Sequence, residues 1–152
     1  MLTTVPTSAV GRIPFEQYVQ DIHKKTNTII KSGVNLIKVG RNDSMKDKIE
    51  HVLEGMKGNV LVVAKGEGIG KLVSVVEISM GKNANQSIRQ FNKLEGFVER
   101  KKSSENSEAV NETADCVQVR TVPLMCVLLV HGSDGDEIER ELEESKWTVQ
   151  HR

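Results

Sequence analysis

Aromatic side chains are scarce in this 152-residue chain: three Phe, one Tyr and one Trp. A sheet surface lined with rings for stacking bases is therefore not expected. There are two cysteines, Cys116 and Cys126, both in apolar, strand-like sequence. They have neither metal-site spacing nor the density of a disulfide scaffold, and are expected as buried, reduced thiols. No apolar stretch approaches membrane-spanning length, and the N-terminus lacks a signal-peptide core. These absences predict an intracellular soluble protein with no membrane partner. The four histidines, His23, His51, His131 and His151, are too scattered for a metal site. No Ser/His/Asp spacing supports a catalytic constellation, so no catalytic residue, metal or cofactor is expected.

Net charge is also absent, because 21 Lys/Arg balance 21 Asp/Glu. The distribution is uneven. Residues 35–102 hold 13 basic against 8 acidic side chains, whereas residues 103–152 hold 4 against 11. A basic body followed by an acidic tail suggests a polyanion as the partner of the body.

The apolar pattern divides the chain into three parts. Residues 1–33 form an N-terminal extension. Its first 13 residues read as extended or disordered, and Phe15, Tyr18, Val19 and Ile22 then share one helical stripe. Residues 34–131 form the central domain. "NLIKV", 35–39, reads as a strand. Asp43 or Ser44 can cap a helix in which Met45, Ile49, Val52, Leu53 and Met56 fall on one face. "VLVVA", 60–64, is a continuously apolar strand. Ile69, Leu72, Val73, Val76 and Met80 mark a second amphipathic helix. "QSIRQFNKLEGFVERKK", 86–102, is a strand with a possible bulge at Gly96. Residues 103–115 are a flexible hairpin loop. "CVQVRTVPLMCVLLV", 116–130, is a strand that Pro123 is expected to distort. Residues 132–152 are an acidic tail with a short charged helix candidate.

The order strand–helix–strand–helix–strand–strand predicts an α+β, two-layer βαβαββ sandwich. The two most apolar strands belong in the middle. The mixed four-stranded sheet then has the order 1-2-4-3, with two helices on one face and a long terminal hairpin.

The stretch "VVAKGEGIGKLVSVVEI" carries the chemistry. A phosphate-binding P-loop needs a glycine where Lys65 stands and a hydroxyl residue where Leu72 stands. The dinucleotide fingerprint begins with Gly66 and Gly68 but meets Lys71 at its third glycine, and no acidic residue at the expected distance supports it. A small nucleotide-binding enzyme using Gly66 to Lys71 is thus the least supported reading. Two others remain open. The glycines can serve positive φ or close packing. Alternatively, the backbone N–H groups at the helix start, with lysines beside them, can hold nucleic-acid phosphates.

The same stretch resembles the strand–turn–helix signature of the Alba superfamily. Gly66, Ile69, Lys71, Val73, Val76, Glu77 and Ile78 fall in place, and Arg41 matches one residue of the family's lysine pair while Asn42 departs from it. The resemblance spans about residues 34–131. "RQFNKLEG" and "VQVRTVPLMCVLLV" are most similar to the larger Alba-type subunit of eukaryotic ribonuclease P and ribonuclease MRP. The resemblance implies a noncatalytic RNA-binding protein in ribonucleoproteins whose RNA is catalytic. It implies a heterodimer with a smaller Alba-like subunit, contacts with other ribonucleoprotein proteins, and binding of a helix–loop–helix RNA element. It implies a role in tRNA 5′-end and rRNA precursor processing, in the nucleus and nucleolus. A free-standing Alba-type DNA- or RNA-binding protein is the alternative.

The candidate RNA-binding residues are Arg41, Lys65, Gly66, Gly68, Gly70 and Lys71, with Arg100, Lys101 and Lys102 at the base of the hairpin. Arg41 and Lys65 leave adjacent parallel strands at the same edge. Lys71 sits in a first helical turn, where its charge opposes the helix dipole and a bound anion would offset that cost. Glu67 places a negative charge inside this patch.

Overall fold

Val60–Lys65 and Cys116–His131 supply the two most apolar strands, and they pair antiparallel at the centre of the sheet. The computed structural model describes residues 2–6, 15–83, 86–100 and 116–151. In chain order its elements are β1 (Leu2–Pro6), α1 (Phe15–Ile29), β2 (Asn35–Lys38), α2 (Met45–Gly55), β3 (Val60–Lys65), α3 (Gly68–Lys82), β4 (Ile88–Arg100), β5 (Cys116–His131), α4 (Gly132–Glu144) and β6 (Thr148–Gln150). The sheet runs β2-β3-β5-β4-β6, and β1 pairs with β5. β2 and β3 are parallel, and their neighbours are antiparallel. The four strands β2-β3-β5-β4 are the expected 1-2-4-3 core, with α2 and α3 on one face: an Alba-like α+β fold.

Both faces of the central strands are apolar because both are covered. Val60, Val62 and Ala64 of β3 pack with Val127 and Leu129 of β5 beneath Val52, Met56, Leu72 and Val76 of α2 and α3. Leu61 and Val63 point the other way, with Leu124, Cys126, Leu128 and Val130 of β5. They meet Val19 and Ile22 of α1, and Ile138 and Leu142 of α4. The terminal segments thus add a third layer to the expected two.

Residues 132–151 are not a free acidic tail. Ile138 and Leu142, one helical turn apart, bury their side chains, and Trp147 follows them into the core at 5% exposure. Arg89 of β4 pairs with both Asp136 and Glu139, so part of the acidic charge is answered within the chain. α4 ends in a Schellman arrangement. The Trp147 N–H donates to Leu142 O at 2.9 Å and the Lys146 N–H to Glu143 O at 3.0 Å, with Lys146 at φ 70°. β6 then pairs with β4 from Gln90 to Asn92.

Several local expectations are settled. Ser44 caps α2, its Oγ accepting the Asp47 N–H at 3.2 Å. Asp43 instead accepts the Gly40 N–H at 2.7 Å and closes the turn after β2. In α3 the buried stripe is Leu72, Val75, Val76 and Ser79, while Val73 is exposed. No bulge forms at Gly96: β4 and β5 pair in unbroken register from Ile88↔His131 to Arg100↔Val119. Pro123 is tolerated for a geometric reason. The N–H and C=O of one strand residue point the same way. The Pro123 carbonyl accepts the Gly66 N–H at 2.9 Å, just beyond the last β3–β5 pair, Lys65↔Leu124. The missing Pro N–H therefore faces a turn and costs no ladder bond. The hairpin loop expected over 103–115 lies outside the described residues.

Candidate nucleic-acid interface

The parallel strands β2 and β3 end side by side, and their exits build one wall of a groove of about 1000 Å³. Lys38, Gly40, Arg41 and Asp43 come from the first exit, and Lys65, Gly66, Glu67 and Gly68 from the second. Glu99 of β4 and Arg120–Pro123 of β5 form the far side. Phe15 and Glu16, from the start of α1, complete the rim.

The glycines differ in role. Gly66 sits at φ +53°, the left-handed turn that lets β3 break sharply into α3. A Cβ on Gly68 would lie 2.9 Å from Val39 O and 3.4 Å from Arg41 N, so this glycine allows α3 to start against the end of β2. A Cβ on Gly70 would meet nothing, and Gly70 does not line the groove. α3 opens without a side-chain cap and with no acidic residue in its first turn. Its N-cap residue is Glu67, whose carboxylate makes no capping hydrogen bond and pairs with Arg41 instead.

Lys71 answers its unfavourable position differently from the bound anion expected. Its Nζ donates to Arg41 O and Asp43 O, each at 2.6 Å, and thereby ties α3 to the turn after β2. Lys71 does not line the groove. Arg100 ends β4 opposite Val119. Lys101 and Lys102 lie outside the described residues.

The groove's cations are Lys38, Arg41, Lys65 and Arg120. Of these, the sequence pattern singled out Arg41 and Lys65. Arg120 was readable only from register, which sets it opposite Glu99. Lys65 is positioned with care. Its Nζ lies 4.7 Å from the Phe15 ring centroid and 5.8 Å from that of Phe97. It also donates to Glu99 Oε2 at 3.2 Å. Phe15, Tyr18 and Phe97 form one ring cluster, with centroid separations of 5.6 and 6.2 Å to Phe97. Phe15 and Phe97 therefore flank a lysine, and Tyr18 stacks on Phe97.

The carboxylates are equally organised. Burial pushes the Glu99 carboxyl up, but hydrogen bonds from Arg120 and Lys65 outweigh it and hold the pKa below the usual value. The Gly40 N–H, helped by Lys48, holds Asp43 below the usual carboxylate range. Away from the groove, burial pushes the Cys126 thiol up to about 12, which leaves it protonated and unreactive. Among the described residues no group of His, Cys, Asp or Glu could hold a metal ion, and no helix is long and apolar enough to cross a membrane.

Residues 35–98, from β2 into the second half of β4, match the family model described as Alba. Over this segment the chain is similar to the Alba family. The groove lies at the strand ends of that matched segment. Among solved structures, Alba from Thermoplasma volcanium is similar at 17% identity and a TM-score of 0.46. The match covers 64% of this chain and 100% of that one. No curated protein matches the sequence.

Proposed function

We propose that this chain is a noncatalytic RNA-binding protein that holds the phosphates of a folded RNA in the groove at the ends of β2 and β3. The observation that carries this reading is the convergence of Lys38, Arg41, Lys65 and Arg120, from three strands and their exits, beside the uncapped start of α3 in the segment similar to the Alba family. Such contacts set affinity and salt dependence, whereas RNA shape and unpaired loops supply selectivity.

The finer reading is that of the larger Alba-type subunit of ribonuclease P and ribonuclease MRP, acting in tRNA and rRNA precursor processing in the nucleus and nucleolus. It pairs with a smaller Alba-like subunit. Val73 and Ile78 of α3, and Leu94 and Val98 of β4, are large apolar side chains exposed to solvent, Leu94 at 70%. Leu94 lies opposite Met125 on the α2/α3 side of the sheet, so that side offers the partner an apolar surface.

Purification of the tagged chain from its own cells tests the finer reading, with protein identification by mass spectrometry and sequencing of the bound RNA. Recovery of one smaller Alba-like protein in equal amount, with one abundant structured RNA, is the expected result. Recovery of heterogeneous DNA or RNA without a second Alba-like protein would replace it by a free-standing Alba-type protein.

A further inference from the structure

Each of the four groove cations already has a carboxylate. Lys38 Nζ lies 2.6 Å from Glu16 Oε2, and Arg41 pairs with Glu67. Lys65 lies 3.2 Å from Glu99, and Arg120 reaches the other Glu99 oxygen at 2.7 and 3.0 Å. With Asp43, the groove lines up four basic and four acidic side chains, and its formal charge is zero. A neutral groove does not draw in a phosphate by its field. Resting on the reading of the groove as the RNA site, we infer that Glu16, Glu67 and Glu99 are internal competitors for phosphate. They make the groove selective for folded RNA, which presents several phosphates together, over flexible single strands.

The geometry supports competition better than structural stapling. Glu16 and Glu67 are 63% and 71% exposed, and pairs in that setting add little to folding stability. They can swing into water when a phosphate takes their place. Glu99 differs. Its side chain is 21% exposed, and its two oxygens bridge Lys65 of β3 and Arg120 of β5. Its carboxylate occupies the place between the two cations that a bridging phosphate would take. Glu99 therefore sets the threshold. A strand that offers one phosphate at a time must displace a carboxylate for every contact while also losing its own conformational freedom. A folded RNA brings its phosphates already spaced, so fewer costs stand against the same contacts. Accordingly, the acidic residues act on selectivity, and the cations on affinity.

The test uses the full chain, with its partner subunit if the two copurify. Fluorescence anisotropy is measured at one fixed salt concentration with two probes of equal length, an RNA hairpin with an internal loop and an oligouridylate. The variants are Glu99→Gln, Glu67→Gln and, as a control for net charge, Glu50→Gln on the exposed surface of α2. Glu67→Gln is expected to tighten both probes by about two- to fivefold, the worth of one released exposed pair, and Glu99→Gln, whose carboxylate holds two cations, by more. Oligouridylate should gain more, narrowing the preference for the hairpin, while Glu50→Gln leaves the preference unchanged. Melting temperature is recorded for each variant, and Glu67→Gln remains informative if Glu99→Gln unfolds. Unchanged or weaker binding by folded Glu67→Gln and Glu99→Gln, or equal gains from Glu50→Gln, would overturn the inference. Failure of the groove itself has a separate signature: Arg41→Ala/Lys65→Ala would then bind the hairpin like the wild type.

Discussion

The sheet's two faces are completed in different ways. On one, α2 and α3 cover Val60, Val62, Val127 and Leu129 but leave Leu94 and Val98 of β4 in water. On the other, α1 and α4 close over Leu61, Val63, Leu124 and Leu128, and Trp147 seals the side near Lys93. The first face is built by the segment that matches the Alba model together with β5. The helices of the second come from outside the match. A sheet whose central strands are apolar on both sides cannot remain half bare in water. The terminal segments therefore do structural work on one face, and the other retains apolar surface for another molecule. The groove stands where the two meet, with Phe15 from α1 and Gly68 from α3 both on its rim.

The sharpest way to break this comparison is to open the sealed face. Trp147→Ala should destabilise the protein by about 3–5 kcal/mol, the usual range for truncating a buried aromatic residue. Urea unfolding followed by circular dichroism measures it, because Trp147 is the chain's only tryptophan and fluorescence is lost with it. A loss below about 0.5 kcal/mol, the ordinary range for surface substitutions, would return the C-terminal segment to the role of a loose tail.

Gly68→Ala probes the other face at the start of α3. The added methyl would stand 2.9 Å from Val39 O, a backbone atom that cannot turn aside. Overpacking of this kind costs about 1–3 kcal/mol. The same substitution at Gly70, whose Cβ meets nothing, should be neutral or stabilising. Equal effects at the two positions in denaturant melts would show that the turn glycines do not divide their roles as described.

The smallest effect belongs to Lys146. It occupies, at φ 70°, the left-handed position that ends α4 and that glycine prefers. Lys146→Gly should stabilise by up to about 1 kcal/mol, raising the denaturation midpoint without changing the slope.

Much of this architecture was legible in the sequence. Continuous apolar runs at 60–64 and 124–130 identify the central strands, and helical spacing identifies α1, α2 and α3. The third layer was less visible. Ile138, Leu142 and Trp147 are only three apolar anchors in a strongly acidic segment, and average composition masks them. β6 is three residues long, too short for a periodic signal. In the groove, the turn glycines and Arg41 and Lys65 could be read from local order. Arg120, Glu99, Lys38 and Glu16 could not, because their meeting depends on strand register and on the docking of α1. Lys71 illustrates the limit: its position in a first helical turn was plain, but its two carbonyl partners lie about 30 residues away.

The groove's role as the phosphate-binding surface is tested most directly by the salt dependence of RNA affinity in Arg41→Ala/Lys65→Ala. Both side chains lie at the rim, and the variant should fold as the wild type does. Binding of the hairpin RNA is measured across a salt series, and log affinity is plotted against log salt concentration. Loss of two phosphate contacts should weaken binding at low salt and flatten the slope by about 0.7–0.9 per contact. A folded variant that keeps both the wild-type affinity and the wild-type slope would show that RNA binds elsewhere on the molecule.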